Sequence, residues 1–193
     1  MKLVFATHND HKLKEVQQLL LENIQLLSLK DIECFDEIPE TGDTLEENAK
    51  IKADYVTQTY GMDCFSDDTG LLVDALDGAP GVYSARYAGE QKNAKKNMAK
   101  LISELKGANN RSAHFKTVVH LNLNGESYNF EGVVDGEITI NAHGDGGFGY
   151  DPIFKPNGYD KTFGELPPET KNAISHRGRA IQKLVAFLKK NAT

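Results

Sequence analysis

The first part of the chain alternates short apolar runs with an amphipathic segment. Residues 2–7 are mostly apolar, and the leucines and the valine of residues 11–21 recur at helical spacing. This pattern predicts a strand, a turn and a helix. Asn9 or Asp10 is the expected N-cap, because a short polar side chain can accept from the first backbone N–H groups of a helix. Residues 24–29 form another apolar run and predict a second strand.

Two further amphipathic helices are predicted. Residues 44–47 read Thr-Leu-Glu-Glu, which is a capping-box sequence, and Gly61 is the expected C-terminal stop of the helix that follows. Asn48 and Lys52 are four residues apart on this helix and share one face. That face could line a site, or it could be an ordinary solvated surface. Residues 92–106 predict a second, scaffold helix.

Two adjacent carboxylates lie in the middle of the sequence. Asp67 and Asp68 follow the short apolar segment 63–65, so they are predicted to lie where a strand ends. Like charges repel at low dielectric, and a positive group is therefore expected near them. Mg²⁺ would suit this position because it prefers one or two carboxylates together with substrate phosphates. The alternative is a turn in which the aspartates cap the next segment.

The second half of the chain predicts a β-meander. Residues 112–123 alternate apolar and polar side chains, and 126–134 return as the second strand of a hairpin around the Asn-Gly turn at 124–125. The Asp-Gly pair at 135–136 suggests another turn before a third antiparallel strand at 137–140. A strand–helix start combined with a meander predicts an α/β protein with a mixed sheet.

A glycine-rich loop follows at residues 144–154. It is not a P-loop because no Gly-Lys-Ser/Thr follows, and its spacing excludes a dinucleotide fingerprint. The glycines would let the backbone approach a flat ligand, on which Phe148 or Tyr150 could stack. A nucleobase fits this description. A glycine-rich hairpin loop with a buried Phe is the alternative.

Two helix starts carry groups that could hold anions. Lys12 lies in the first turn of the first helix, where a bound anion would explain a cation that opposes the helix dipole. A solvated surface lysine is the alternative. The C-terminal helix has Ser175 as its expected N-cap, and Lys171, His176 and Arg177 gather donors beside it. Carbonyl or phosphate oxygens could bind there, and surface cations beside a helix cap are the alternative.

Composition and charge place the chain among ordinary globular proteins. It is 39% hydrophobic and 26% charged, which suits a single domain, bilobed around a shared sheet. The net charge of −6 disfavours nucleic acid, because duplex DNA affinity depends on many Lys and Arg contacts. Cys34 and Cys64 have no metal-ligand spacing, and no signal peptide or membrane-spanning run is recognised, so the cytoplasm is expected. His114 and His120 are expected at the surface.

Six motifs in the chain carry a family resemblance. They are Thr-His-Asn-Asp-His-Lys at 7–12, Glu-Glu-Asn-Ala-Lys-Ile-Lys-Ala at 46–53, Ser-Asp-Asp-Thr-Gly at 66–70, Gly-Ala-Pro-Gly-Val-Tyr-Ser-Ala-Arg-Tyr-Ala-Gly at 78–89, Gly-Gly-Phe-Gly-Tyr-Asp-Pro-Ile-Phe at 146–154 and Ser-His-Arg-Gly at 175–178. In this order they resemble the inosine triphosphate pyrophosphatases, which remove deaminated purine nucleotides such as ITP, dITP and XTP. One departure is that the family's first motif often has glycines where this chain has His8 and His11.

The resemblance implies hydrolysis between the α- and β-phosphates, giving a nucleoside monophosphate and pyrophosphate. It also implies a homodimer with a long curved sheet and an active-site cleft between two lobes. Asp68 would be the proton acceptor and a metal ligand, Glu40 a second ligand to Mg²⁺, and Asp67 would lie close by. Glu37 is the alternative to Glu40. The residues expected to contact substrate are Thr7, His8, Asn9, Asp10, His11, Lys12, Lys52, Thr69, Phe148, Gly149, Tyr150, Asp151, Lys171, His176 and Arg177.

Two other functions compete with this interpretation. One is a pyrophosphatase that acts on pyrimidine or methylated nucleotides, and the other is a non-catalytic sensor of purine nucleotides. For the purine substrates, donors near the start of the C-terminal helix would pair with the keto oxygen at position 6. Adenine places an amino donor there, so ATP is expected to be a poor substrate.

Overall fold

The computed structural model describes residues 1–191, which form the predicted α/β fold. Its described residues contain seven strands, β1 (Lys2–Phe5), β2 (Gln25–Ser28), β3 (Cys64–Val73), β4 (Pro80–Gly81), β5 (Ser112–Leu123), β6 (Glu126–Ile138) and β7 (Phe154–Pro156). They also contain five α-helices, α1 (Asp10–Leu19), α2 (Leu45–Tyr60), α3 (Ala94–Glu104), α4 (Pro168–Ile174) and α5 (His176–Asn191). No helix within this range has both the length and the apolar character of a membrane span.

The strands form one mixed sheet, as predicted. Within residues 1–191 the strand order is β2-β1-β3-β5-β6-β7, and β4 pairs with β3. β1 is parallel to β2 and β3, whereas the β3–β4 and β6–β7 pairs are antiparallel. Asn124 and Gly125 join β5 to β6 with φ of 53° and 82°, the positive values that a tight hairpin turn requires.

The chain divides into two compact units. Unit 1 comprises Met1–Asp68, Thr117–Gly132 and the residues from Arg177 onward. Unit 2 comprises Thr69–Lys116 and Val133–His176. The division falls on β3, directly after the second of the two adjacent aspartates.

Side chains of the central strands in unit 1 alternate between two apolar clusters. Leu3 and Phe5 belong to a cluster with residues of α1 and α5, whereas Val4 belongs to a cluster with residues of α2. β3 follows the same rule, since Phe65 stacks on Phe5 with ring centroids 4.6 Å apart and Cys64 lies in the α2 cluster. This is the two-residue period of a strand that is buried on both faces. The same alternation determines whether a side chain further along β3 faces α2 or faces α1 and α5.

Unit 2 has an aromatic core. The rings of Phe115 and Phe154 meet edge to face with centroids 4.7 Å apart, and Phe163 lies 5.2 Å from Phe154. Leu101 of α3 belongs to the same cluster. Tyr150 belongs to it as well, so this core anchors the glycine-rich loop that precedes β7.

The predicted ends of α1 and α2 are confirmed at three positions. Asn9 caps α1, because its side chain accepts from the backbone N–H groups two and three residues further on, at 3.0 and 3.3 Å. Thr44 and Glu47 form the predicted capping box at the start of α2. Gly61 ends α2 in the left-handed conformation, with φ of 64°. These caps set the positions at which α1 begins and α2 begins and ends, and therefore which side chains of the two helices share a face.

Two strands continue where the sequence predicted an end. β3 runs through Asp67 and Asp68, so the predicted strand end is wrong; cations described below allow these carboxylates to stay inside the strand. β6 runs through Gly136, so the predicted turn and separate third strand are also wrong. Gly136 pairs with Pro156, and a Cβ at this position would lie 2.4 Å from the carbonyl oxygen of Lys155. The glycine therefore permits close approach of β7.

The surface position predicted for His120 is wrong. His120 is only 3% exposed. Its Nδ1 lies 2.7 Å from Oδ1 of Asn129, and its Nε2 lies 3.2 Å from Oδ1 of Asn122. These hydrogen-bond partners come from the hairpin and make burial of the imidazole compatible with folding. His114, by contrast, is partly exposed.

The helix α4 is a further element that the sequence reasoning missed. It has seven residues, too few for a helical period to be recognised, and it begins with Pro168. Proline is compatible with the first turn of a helix because the N–H groups there have no intrahelical partner.

Replacing Thr44 with Ala is expected to lower the free energy of unfolding by about 1 kcal/mol, because the N-cap oxygen that accepts from the N–H of Glu47 is lost. Thr44→Ser keeps the hydroxyl and should retain most of that stability. Urea denaturation of the wild type and both variants measures the difference. Equal stability of the wild type and the Ala variant would contradict the capping role.

Candidate active site

Asp67 and Asp68 are both buried in unit 1, with exposures of 1% and 8%. Because successive side chains of a strand point to opposite faces, the two carboxylates meet different helices. Asp67 contacts residues of α1 and α5, whereas Asp68 faces a residue of α2. The repulsion expected between neighbouring aspartates is thus reduced by geometry, and each has its own cation.

Asp67 is held between two cations. Nζ of Lys12 donates to one carboxylate oxygen at 2.9 Å, and Nε of Arg177 donates to the other at 2.9 Å. Burial alone would raise the pKa of Asp67, but the charges of Lys12 and Arg177 outweigh burial and hold that pKa well below its ordinary value. Asp67 therefore stays ionised, with a cation on each oxygen.

Arg177 extends this arrangement back to α1. It is only 2% exposed, and its Nη1 donates to Oε2 of Glu15 at 2.5 Å. Burial alone would lower the pKa of Arg177, but Asp67 and Glu15 outweigh it and raise that pKa. Its contacts with Asp67 and Glu15 favour a role in holding Asp67, and the substrate contact predicted for Arg177 stays a prediction. The sequence reasoning missed Glu15, although Glu15 lies three residues after Lys12 on the same helix face.

Lys52 of α2 links the other carboxylates. Its Nζ donates to the backbone oxygen of Asp67 at 2.7 Å and to a side-chain oxygen of Glu40, and it lies 3.7 Å from Oδ1 of Asp68. Burial alone would lower the pKa of Lys52, but these acids outweigh it and raise that pKa. Lys52 and Asn48 are 9% and 1% exposed, so this helix face is buried and is not a solvated surface.

Asp68 has the opposite electrostatic character to its neighbour. Burial raises the pKa of Asp68, and the negative charges of Glu40 and Asp67 add to this effect. The ammonium groups of Lys52 and Lys12 oppose the shift without cancelling it. Asp68 is therefore the more basic carboxylate of the pair and the better proton acceptor.

Glu40 and Asp68 form the donor set that best fits a divalent cation. Both carboxylates converge on one positive charge, the ammonium of Lys52. No group of three or more His, Cys, Asp or Glu side chains that could hold a metal is found among residues 1–191. Two carboxylates completed by substrate phosphate oxygens are sufficient for Mg²⁺. Asp67 fits this role less well, because each of its oxygens already accepts from a cation.

The first turn of α1 contributes Lys12 to the cluster of charged side chains around Asp67. Burial lowers the pKa of Lys12, and Asp67 opposes this shift. Of the neighbouring polar groups, Oγ1 of Thr7 accepts from the N–H of Asn9 at 3.1 Å, and Nε2 of His8 lies 2.9 Å from the backbone oxygen of Asp36. Asp10, the first residue of α1, lies 3.6 Å from Lys30. The fold thus directs Lys12, in the first turn of α1, towards the carboxylates.

Unit 2 contains a second cluster around a buried ion pair. Asp151 and Lys171 are 3% and 4% exposed, and Nζ of Lys171 lies 2.6 Å from Oδ2 of Asp151. The same oxygen accepts from the backbone N–H of Phe148 at 2.8 Å. Gly147 has φ of 70°, and a Cβ there would lie 2.0 Å from this oxygen. Asp151 therefore fixes the glycine-rich loop immediately before Phe148.

The aromatic residues of this cluster differ in exposure. Phe148 is half-buried, and Nζ of Lys171 lies 4.9 Å from its ring centroid. Tyr150 is buried and donates to the carbonyl oxygen of Ser84 at 2.7 Å. The ring of His176 stacks on Phe115 in the core. Phe148 is therefore better placed than Tyr150 to stack on a ligand.

The sequence-predicted site residues thus fall into the two units. Unit 1 brings together Lys12, Glu40, Lys52, Asp67, Asp68 and Arg177, and it also contains Thr7, His8, Asn9, Asp10 and His11. Unit 2 brings together Phe148, Asp151 and Lys171, and it also contains Thr69, Gly149, Tyr150 and His176.

Replacing Asp67 with Asn is expected to lower the free energy of unfolding by about 3–5 kcal/mol, because the buried Arg177 and the partly buried Lys12 lose their shared carboxylate. The matched control is Asp10→Asn, which breaks the exposed pair with Lys30 and should cost less than about 1 kcal/mol. Urea denaturation of both variants checks the contrast. Similar small losses for both would show that Asp67 is not the electrostatic centre of unit 1.

Comparison with known proteins gives a consistent result over the full length of the chain. A dITP/XTP pyrophosphatase of Flavobacterium johnsoniae is 63% identical over 188 residues, which cover 97% of this chain and 98% of that protein. The Porphyromonas gingivalis protein of the same name is 49% identical, with 97% of each chain covered. The structure of the Staphylococcus aureus Ham1 protein superposes with a TM-score of 0.91 at 38% identity, covering 99% of this chain and 100% of that one. The model of the Ham1 family matches residues 3–187, and the chain belongs to this family.

Proposed function

We propose that the protein hydrolyses deaminated purine nucleoside triphosphates, namely ITP, dITP and XTP, to the monophosphate and pyrophosphate. The names of its relatives support this substrate class. The observation that carries the chemistry is Asp68, a buried carboxylate whose pKa is raised beside Lys52 and Glu40. A carboxylate of this kind can take a proton from an attacking water molecule.

The residues of unit 1 would act on the triphosphate. Lys12 supplies a positive charge beside the start of α1, where backbone N–H groups also favour phosphate. Asp68 would accept a proton from a water molecule that attacks the α-phosphorus in line with the leaving pyrophosphate. Lys52 would hold Asp68 and Glu40 in place and offset negative charge near the phosphates. Positioning and electrostatics thus supply most of the rate enhancement.

Mg²⁺ is the proposed cofactor, and Glu40 and Asp68 are the residues that would hold it. When bound, the cation would neutralise charge on the phosphates and lower the pKa of water. The hard oxygen donors of these two carboxylates match its preference, and neither His nor Cys is required. We place Asp67 beside the metal in a supporting role, because each of its oxygens holds a cation of the protein.

The residues of unit 2 would recognise the base. The half-buried ring of Phe148 offers a stacking surface, and the ion pair of Asp151 with Lys171 fixes its backbone. A purine with a keto oxygen at position 6 presents an acceptor to a donor such as His176. Adenine would set donor against donor, so ATP is expected to be hydrolysed poorly.

The proposed setting is a homodimer in the cytoplasm that acts on free nucleotides. The family resemblance supports the dimer, and the net charge of −6 is unfavourable for nucleic acid as a partner. Removal of non-canonical purine triphosphates from the nucleotide pool would be the consequence of the activity.

Product analysis tests the proposed reaction. The protein is incubated with Mg²⁺ and either ITP, XTP, ATP, UTP or dTTP, and pyrophosphate is measured against orthophosphate. We expect ITP and XTP to give monophosphate and pyrophosphate, and EDTA to stop the reaction. Preference for UTP or dTTP would support the pyrimidine alternative, and tight binding of purine nucleotides without turnover would support a sensor.

Asp68→Asn is expected to lower kcat by about 10²- to 10⁴-fold, because the amide keeps the shape but cannot accept the proton. Steady-state hydrolysis of dITP at saturating Mg²⁺ measures the loss. Asp74→Asn is the matched control, since Asp74 is exposed and lies just after β3. Wild-type turnover by the Asp68 variant would rule out its role as the base.

Glu40→Gln is expected to raise the Mg²⁺ concentration for half-maximal activity by about tenfold or more, because one of two proposed anionic ligands is lost. Glu37→Gln is the comparison, because Glu37 is three residues away in the same segment. Titrating Mg²⁺ at fixed dITP separates the two. A larger effect at Glu37 would transfer the ligand role to that residue.

Phe148→Ala is expected to raise the KM for ITP by about 5- to 150-fold, the equivalent of losing about 1–3 kcal/mol of base stacking. Ile140→Ala removes a side chain of unit 2 that is 71% exposed and should leave KM unchanged. Initial-rate measurements on both variants make the comparison. An unchanged KM for the Phe148 variant would exclude this ring as the stacking surface.

A further inference from the structure

The segment that carries Glu40 lies outside the regular secondary structure. Residues 33–44, termed here the acidic segment, contain neither helix nor strand. Cys34 and Ile38 are 0% and 8% exposed and belong to the α2 cluster of unit 1. The acidic segment is otherwise held by hydrogen bonds to neighbouring elements. The position of Glu40 therefore depends on these individual contacts.

Asp36 is one of the polar anchors of the acidic segment, and the N–H of Gly42, which donates to Oδ1 of Asn48 at 2.8 Å, is another. The backbone oxygen of Asp36 lies 2.9 Å from Nε2 of His8, in the turn before α1. Its carboxylate accepts from the hydroxyl of Tyr55 on α2, also at 2.9 Å. Asp36 thus receives one contact from the turn before α1 and another from α2, the helix that carries Lys52.

Both elements that Asp36 joins, the acidic segment and the turn before α1, are connected to residues around Asp67 and Asp68. Glu40, four residues after Asp36, contacts Lys52, and Lys52 lies near Asp68. On the other side, the turn that holds His8 leads into α1, whose first turn carries Lys12, a partner of Asp67. The exposed ion pair of Asp10 with Lys30 also joins the start of α1 to the chain just before the acidic segment. Exposed ion pairs contribute little to stability.

We infer that His8 is a positioning residue, which holds the acidic segment through Asp36 so that Glu40 is presented to Lys52 and Asp68. The consequence for turnover rests on the proposed function, because it assumes that Glu40 takes part in binding Mg²⁺. The contact itself requires a proton on Nε2, which both the Nε2–H neutral tautomer and the imidazolium provide. Gln at this position can donate through its side-chain amide, whereas Ala cannot.

Hydrogen exchange of the ligand-free protein tests the contact independently of activity. In His8→Ala, peptides covering residues 33–44 are expected to exchange about two- to tenfold faster, the equilibrium effect of one net hydrogen bond. His8→Gln should restore most of the protection. Tyr55→Phe, which removes the other contact to Asp36, should also accelerate exchange in these peptides. His114→Ala is the matched control, because His114 lies in unit 2 on β5.

Mg²⁺ titration of dITP hydrolysis then tests the consequence for Glu40. His8→Ala should raise the half-saturating Mg²⁺ concentration by about two- to tenfold, with recovery in His8→Gln. Unchanged exchange of residues 33–44 in His8→Ala would overturn the inference. Faster exchange with an unchanged Mg²⁺ requirement would overturn the positioning role.

A failure of the proposed function gives a different result. In that case the wild type would not hydrolyse dITP, XTP or ITP, while the exchange measurement would still report whether His8 holds the acidic segment. A His8 side chain that served only the phosphates would instead raise the KM for dITP in both His8→Ala and His8→Gln without changing exchange, and this would also overturn the inference.

Discussion

A carboxylate removed from water must be matched by positive charge, and Asp67 is where unit 1 meets this constraint. Its two oxygens hold Lys12 from α1 and Arg177 from α5, both 2.9 Å away. Because the guanidinium also binds Glu15, the charges alternate from one helix through the strand to the other and back. An isolated charge at any of these positions would be strongly unfavourable, so the four residues are stable only as a set.

The neighbouring carboxylate is placed under the opposite condition. Asp68 faces α2, where Lys52 is shared with Glu40, and burial raises its pKa. Asp67 is therefore stabilised as an anion that organises the protein, whereas Asp68 keeps the affinity for a proton that a base requires. The same type of side chain takes two roles because the strand directs it towards two environments.

The sequence predicted local features well and long-range contacts poorly. The capping box at Thr44 depends only on residues within one helical turn, so its pattern could be recognised directly. The continuation of β3 through Asp67 could not, because it depends on Lys12 and Arg177, which are 55 and 110 residues away. The motifs did predict which acidic and basic residues belong to the candidate site. Glu15 was not predicted, because nothing local distinguishes it from a solvated helix acid.

The alternation along β3 also limits how this chain can change. Substitutions in the loops alter one contact at a time, whereas an insertion or deletion of a single residue within the strand before Asp67 would exchange the faces of every side chain that follows. Asp67 would then turn towards α2 and Asp68 towards α1 and α5, and neither would meet its present cations. Changes of length are therefore compatible with this site only outside β3, in connections such as the hairpin turn at Asn124 and Gly125.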